Sequence, residues 1–278
     1  MSHRLFALAL LAAAVPASIC AVLAPGRADK KQKAPFMGKA FAHRGLYIKK
    51  DQSIPENSLP AFERACERGY GIELDVQLSA DGKVVVFHDD DLKRACGLDR
   101  PVSDLTYSEL RSLRLFSTDE RIPLFSETLE LISGRVPLIV ELKTGLRNNE
   151  LCEKTLDLLR RYDGDFCVES FDPRIVTWFR INAADVLRGQ LSQPAPYYLD
   201  EGQSEMTASL LESLSLNIIA RPQFIAYRVG YKPPSVRICE ALGAMRVSWV
   251  SDGSWDDGGG RKADAIIFEE KDSPEEKE

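Results

Sequence analysis

From residue 38 onward, short apolar runs alternate with stretches of helical periodicity, and this alternation restricts the fold more than any other feature of the chain. Runs at Ala40–His43, Ile72–Leu78, Pro137–Leu142, Phe166–Glu169, Leu187–Leu191, Phe224–Arg228, Arg246–Val250 and Ala265–Phe268 have the length and composition of strands. Helical patterns fall between them at Leu59–Gly69, Ser126–Ser133, Asn149–Tyr162, Pro173–Ala183, Glu205–Leu216 and Ser235–Gly243. Strands and helices alternating in this way predict an α/β fold, a (β/α)8 TIM barrel. A ninth run, Val84–His88, follows Leu78 too closely for a parallel crossover, which needs about a dozen residues. It should therefore turn back as a hairpin through Asp81-Gly82. Residues 89–125 then read as a small, charge-rich insertion after the second strand, with a helix expected over Thr106–Leu115, capped by Thr106 and Glu109. With 44% hydrophobic residues, 278 residues can bury one sizeable core, which we place in a barrel over 35–270, followed by a short acidic tail at 271–278.

Leu5 to Leu23 is almost wholly apolar, and a helix of that length, at about 1.5 Å per residue, nearly crosses a hydrocarbon core of about 30 Å. Residues 1–34 are therefore expected to be an N-terminal membrane anchor or signal segment with a basic linker. Arg27, Lys30, Lys31 and Lys33 follow the run while Arg4 precedes it, and positive flanks tend to stay in the cytoplasm. The five cysteines beyond the run, Cys66, Cys96, Cys152, Cys167 and Cys239, are odd in number and lack paired spacing, so no disulfide framework is indicated. The expectation is a single-pass anchor with the barrel in the cytoplasm; a cleaved signal and a secreted barrel are the alternative. A net charge of −6 and the lack of a basic stripe argue against a nucleic-acid groove.

The chain has three histidines, and two of them, His43 and His88, end apolar runs. Glu73 and Asp75 are two apart on a strand and so share one face, the lumen of a barrel, while Ile72, Leu74 and Val76 face the other way. Like charges buried this closely are costly unless a cation sits between them. Glu141, at the end of the next parallel strand, is the natural third oxygen ligand, and an all-oxygen set favours Mg²⁺ or Ca²⁺ over zinc. The alternative is an ion network of these acids with Lys143 and Arg44 and no metal. Arg44 offers a planar fork suited to a phosphate, and Lys143, on the face of Glu141, can balance developing negative charge. Trp249 can wall the pocket around a polar headgroup, and Glu169 closes the fourth strand as a supporting acid. Two imidazoles, an anion-binding arginine and a cation-binding carboxylate pair are the parts needed for phosphate-ester hydrolysis.

The ordered set His43-Arg44-Gly45, Pro55-Glu56-Asn57-Ser58, Glu73-Leu74-Asp75, Asp81-Gly82, His88-Asp89 and Glu141-Leu142-Lys143 resembles the glycerophosphodiester phosphodiesterases. An ordered set is far more specific than any one of its members. The resemblance implies that the two histidines act as acid and base, that an adjacent glycerol hydroxyl can be the first nucleophile, and that the insertion shapes substrate access. It also draws Glu56 and Asn57 into the site, with Glu56 either a metal ligand or an organiser of Arg44, although Ser58 as a helix cap explains this stretch locally. Phe268-Glu269-Glu270 departs from the Thr-Asp-x-Pro sequence frequent in the family, which puts the far wall of the site in doubt. The expected activity is hydrolysis of glycerophosphodiesters to glycerol 3-phosphate and an alcohol. A lysophospholipid phosphodiesterase working at the membrane surface and an inactive headgroup-binding module are the alternatives.

Overall fold

A computed structural model describes residues 18–257 and 260–269. In chain order its strands are β1 (Lys39–Ala42), β2 (Gly71–Leu78), the short β3 (Val84–Val86), β4 (Asp91–Leu92) and β5 (Leu98–Pro101), then β6 (Leu138–Leu142), β7 (Phe166–Ser170), β8 (Arg188–Ser192), β9 (Phe224–Arg228), β10 (Met245–Ser251) and β11 (Ala265–Phe268). Strands β1, β2 and β6 to β11 run parallel, each hydrogen-bonded to the next. The first and last then pair through Lys39 with Ala265 and Ala42 with Phe268, closing an eight-stranded barrel. Strand β3 lies antiparallel on β2, with Val76 opposite Val86, as the short spacing demands.

The two-residue period of each strand separates two apolar layers. Ile72, Leu74, Val76, Leu138, Val140 and Val168 face outward and meet Phe62, Leu129, Ile132, Leu151 and Phe179 of the surrounding helices. Phe41, Ile139, Cys167, Phe224, Val247 and Ile267 face inward and fill the lumen. Two glycines make room for the largest of these side chains: a Cβ at Gly71 would lie 2.4 Å from the Phe41 ring, and one at Gly189 would lie 2.0 Å from the Phe224 ring. The floor is thus a packed layer and leaves the carboxyl-terminal ends of the strands for polar groups.

Local signals set the helix limits. Ser58 caps Leu59–Arg68 by accepting the Ala61 N–H, and Gly69, at φ 69°, ends it in the left-handed region. Between β3 and β6 the chain leaves the barrel and forms its own small core around Val85, Phe87, Leu92, Val102, Leu110 and Ile122. Here Thr106 and Glu109 form the reciprocal capping box that their spacing suggests, over the helix Tyr107–Ser112.

The expected anchor falls only in part within the described residues. Residues 1–17, most of the apolar run, lie outside the described residues, as does the tail at 271–278. Residues 18–23 are helical, but Leu23 is 4% exposed and packs on Ile225, Tyr227 and Val236. Arg221 donates to the carbonyls of Ala21 and Ala24 at 2.9 and 2.7 Å. The end of the run is therefore fastened to the barrel, and among the described residues no helix is long and apolar enough to cross a membrane.

Phe224→Ala should empty the barrel floor, because the ring is fully buried above Gly189. We expect a loss of about 3–5 kcal/mol in urea unfolding; a loss under about 1 kcal/mol would mean that the ring does not fill the lumen.

Candidate active site

Continuing each inward-facing row by two residues reaches the carboxyl-terminal rim of the barrel. Phe41 leads to His43, Gly71 to Glu73 and Asp75, Ile139 to Glu141 and Lys143, Cys167 to Glu169, Ala226 to Arg228, Val247 to Trp249 and Ile267 to Glu269. A cavity of about 520 Å³ opens there, lined by His43, Arg44, Glu73, His88, Glu141 and Glu169 on one side and by Phe171, Leu191, Arg228 and Trp249 on another.

Glu73, Asp75 and Glu141 are all buried, and each offers an oxygen within 4.8 Å of the others. Their environments differ. Burial, then the charges of Asp75, Glu141 and Glu169, pushes the Glu73 carboxyl well above the ordinary carboxylate range. Burial acts the same way on Asp75, but His88, Lys143 and Arg44 together outweigh it, and Asn57 donates to Asp75 Oδ2 at 2.8 Å, so this carboxyl is held low and ionised. Lys143 Nζ lies 2.8 Å from Glu141 and 3.5 Å from Asp75, and Arg44 Nε lies 3.6 Å from Asp75. The ion network considered from sequence is therefore present in part. It leaves Asp75 Oδ1, the atom 3.5 Å from Lys143, buried without a hydrogen bond, and among the described residues it brings no side-chain cation within 4.0 Å of Glu73 except His43, whose Nε2 lies at 3.9 Å. An all-carboxylate set with an orphaned oxygen and one acid that resists ionising fits a hard divalent cation.

Both histidines are held at Nδ1. His43 Nδ1 is 2.9 Å from Glu269 Oε1, and the other oxygen of Glu269 is taken by Lys49. His88 Nδ1 is 2.6 Å from Asp89 Oδ1, and Arg94 donates to both oxygens of Asp89. A ring fixed at Nδ1 by a carboxylate has a set tautomer and keeps Nε2 for chemistry. Gln77, on the lumen face of β2, donates to the carbonyls of Phe87 and Asp89 at 2.8 and 2.9 Å and so fixes the backbone that carries His88. Burial, then Arg44, lowers His43 below its ordinary 6.5, with Glu269 opposing.

Arg44 follows β1 in the left-handed region at φ 55°, and Asn57 stands at φ 54° in the loop beside it. The Arg44 N–H donates to Glu73 Oε2 at 2.9 Å and the Asn57 N–H to the Arg44 carbonyl at 2.9 Å, which stabilises a conformation otherwise costing about 1–3 kcal/mol per residue. Glu56 belongs with the organisers. It accepts from Arg44 at 2.8 Å and from Arg94 at 2.6 Å, and it stands outside the three-carboxylate cluster. Glu169 is pushed well above the usual range by burial and then Glu141, and its Oε2 has no hydrogen-bond partner. Trp249 lies two residues before the end of β10; its Nε1 donates to the Ala226 carbonyl at 3.1 Å and Phe171 meets its ring edge-on.

The sequence reading gave no role to Glu269, Asp89, Arg94, Gln77 or Arg228. The inward row signals three of them, because Gln77, Arg228 and Glu269 each follow a lumen residue by two. Arg94 comes from the insertion helix Lys93–Cys96, where nothing in the local sequence indicates what it reaches. With chelator present, the His43 ring should titrate below 6.5 by NMR. Glu269→Gln, which removes the charge that favours imidazolium, should move it lower still; an upward movement or none would rule out Glu269 as its partner.

The comparisons with known proteins agree with this geometry. Residues 43–217, well over half of the chain, match the model of the glycerophosphoryl diester phosphodiesterase family. A glycerophosphodiester phosphodiesterase of Bacillus altitudinis is 40% identical over 114 residues, 38% of this chain and 45% of that protein. A human lysophospholipase D is 33% identical over 152 residues, 50% of this chain and 46% of that protein. The chain thus spans about half the length of the curated relatives it matches. Among solved structures, a glycerophosphodiester phosphodiesterase from Parabacteroides distasonis superposes with a TM-score of 0.61 at 26% identity over 83% of this chain and 92% of that one. A phosphodiesterase from Oleispira antarctica, solved with its product sn-glycerol-3-phosphate, shares the fold with a TM-score of 0.65 at 23% identity over 84% and 93% of the two chains. With the family model, the ordered motifs and the barrel rim in accord, this chain belongs to the glycerophosphoryl diester phosphodiesterase family.

Proposed function

We propose that the chain hydrolyses glycerophosphodiesters to glycerol 3-phosphate and an alcohol. The observation that carries this reading is the placement of two carboxylate-anchored imidazoles around a buried three-carboxylate cluster in one pocket. Arg44 and Lys143 neutralise and orient the phosphate. One histidine removes the proton from the attacking hydroxyl, first that of the neighbouring glycerol carbon and then that of water, while the other delivers a proton to the departing alkoxide. A Mg²⁺ or Ca²⁺ ion held by Glu73, Asp75 and Glu141 would withdraw charge from the phosphoryl group. Glu56 and Asn57 keep Arg44 and Asp75 in place, and Glu169 is a supporting acid in the same pocket.

Purified protein should release glycerol 3-phosphate from soluble diesters, lose the activity to chelator and regain it with Mg²⁺ or Ca²⁺. His43→Ala and His88→Ala should each reduce kcat by about 10²–10⁴-fold with unchanged circular dichroism. Turnover that survives both substitutions would exclude the two-histidine chemistry, and a lack of turnover in the wild type would favour a headgroup-binding module. The resemblance to a lysophospholipase D supports a second reading, in which the substrate is a lysophospholipid at a membrane surface. Activity on lysolipid vesicles above that on soluble diesters would select it.

The apolar run and the basic residues after it support a membrane-tethered barrel on the cytoplasmic side. A carboxyl-terminal reporter that fluoresces only when folded in the cytoplasm should be bright and sediment with membranes. A dark reporter, or one in the soluble fraction, overturns that placement.

A further inference from the structure

Across the barrel from Glu73 and Asp75, the pocket wall holds a further cation. Arg228, at the end of β9, lies with its guanidinium carbon 4.2 Å from the centroid of the Tyr197 ring and 5.4 Å from that of Trp249. Among the described residues, no carboxylate stands within 4.0 Å of it. Asp252, also on this wall, accepts the Ser254 amide N–H at 3.2 Å. The other cations of the site, Arg44, Lys49, Arg94 and Lys143, are each engaged by a carboxylate.

A guanidinium stacked on aromatic faces keeps its in-plane N–H fork free for an anion. The stack is held in place, because Trp249 is tied to the Ala226 carbonyl and meets Phe171 edge-on at 5.5 Å. The protein's own cation already lies over the Tyr197 and Trp249 rings, where a second cation such as a quaternary ammonium would be repelled. The reacting phosphate belongs near Arg44 and Lys143, and the glycerol half of such a diester carries no ionisable group. An anion reaching Arg228 must therefore come from the alcohol half.

We propose that Arg228 forms a subsite for a second anionic group on the alcohol portion of the substrate. Preferred substrates are glycerophosphodiesters whose headgroup bears a carboxylate or a further phosphate, and choline is disfavoured. This inference rests on the phosphodiesterase reading above and extends it to specificity.

The test compares kcat/KM of the full chain, with Mg²⁺ or Ca²⁺ supplied, on four diesters: glycerophosphoserine, glycerophosphoglycerol phosphate, neutral glycerophosphoglycerol and cationic glycerophosphocholine. Wild type should favour the first two over the third and place the fourth last. Arg228→Met should lower the ratio of anionic to neutral kcat/KM by about 10- to 100-fold, mainly through KM, the size of one charge-assisted contact. Arg228→Lys should restore part of that ratio. Whether serine or phosphate loses more identifies the anion. An unchanged ratio, or wild-type turnover blind to headgroup charge, overturns this inference alone. No wild-type turnover on any of the four overturns the parent reading and this one with it.

Discussion

Two carboxylates two residues apart on the inside of a closed barrel are the constraint around which the rest of this rim is arranged. Glu73 and Asp75 are 2% and 1% exposed, and removing like charges from water at such separation carries a cost that packing alone does not offset. The fold divides the burden unequally. Asp75 is kept ionised by the cations and amide turned toward it, and Glu73 is left hard to ionise. The same acids hold the loop after β1 in shape, because their oxygens receive the Arg44 backbone N–H and the Asn57 side chain. Electrostatic cost, loop conformation and capacity for a cation are thus aspects of one arrangement.

Each imidazole is served by a carboxylate, and each carboxylate by a cation, but the two sets differ in origin. His88, Asp89 and Arg94 are close in sequence and depend on the insertion. His43, Lys49 and Glu269 join the beginning of the barrel to its last strand. Arg94 also reaches Glu56, which holds Arg44, so one side chain from outside the barrel steadies both an imidazole and the arginine that follows β1. The small core beneath the insertion, built on Val85 and Phe87, keeps that side chain in reach.

The barrel was legible because its strands obey a two-residue period and its helices carry local caps, both of which are written in adjacent residues. His43, Glu73, Asp75 and Glu141 were legible for a related reason: polar groups interrupting apolar strands need an explanation. Glu269 was not, since an acid following the final strand looks like the start of a charged tail, and its partner is 226 positions away. Arg94 sits on a short, half-exposed helix where a basic residue has ordinary local reasons to occur. The resemblance drew Glu56 into the site as ligand or organiser, and local sequence could not show that both Arg44 and Arg94 donate to it. What stayed hidden in each case was a contact made by closure or by the excursion, and local pattern carries no record of either.

The pairing of His43 with Glu269 has a consequence for how the protein comes into being. Strand β1 emerges from the ribosome before β11, which Glu269 follows, so the first imidazole lacks its anchor until the last barrel strand has been made and the barrel seam has closed. A nascent chain, or one clipped just ahead of that residue, carries every motif of the first half and still has an imidazole free to rotate. The orientation of this ring is thereby tied to closure of the barrel.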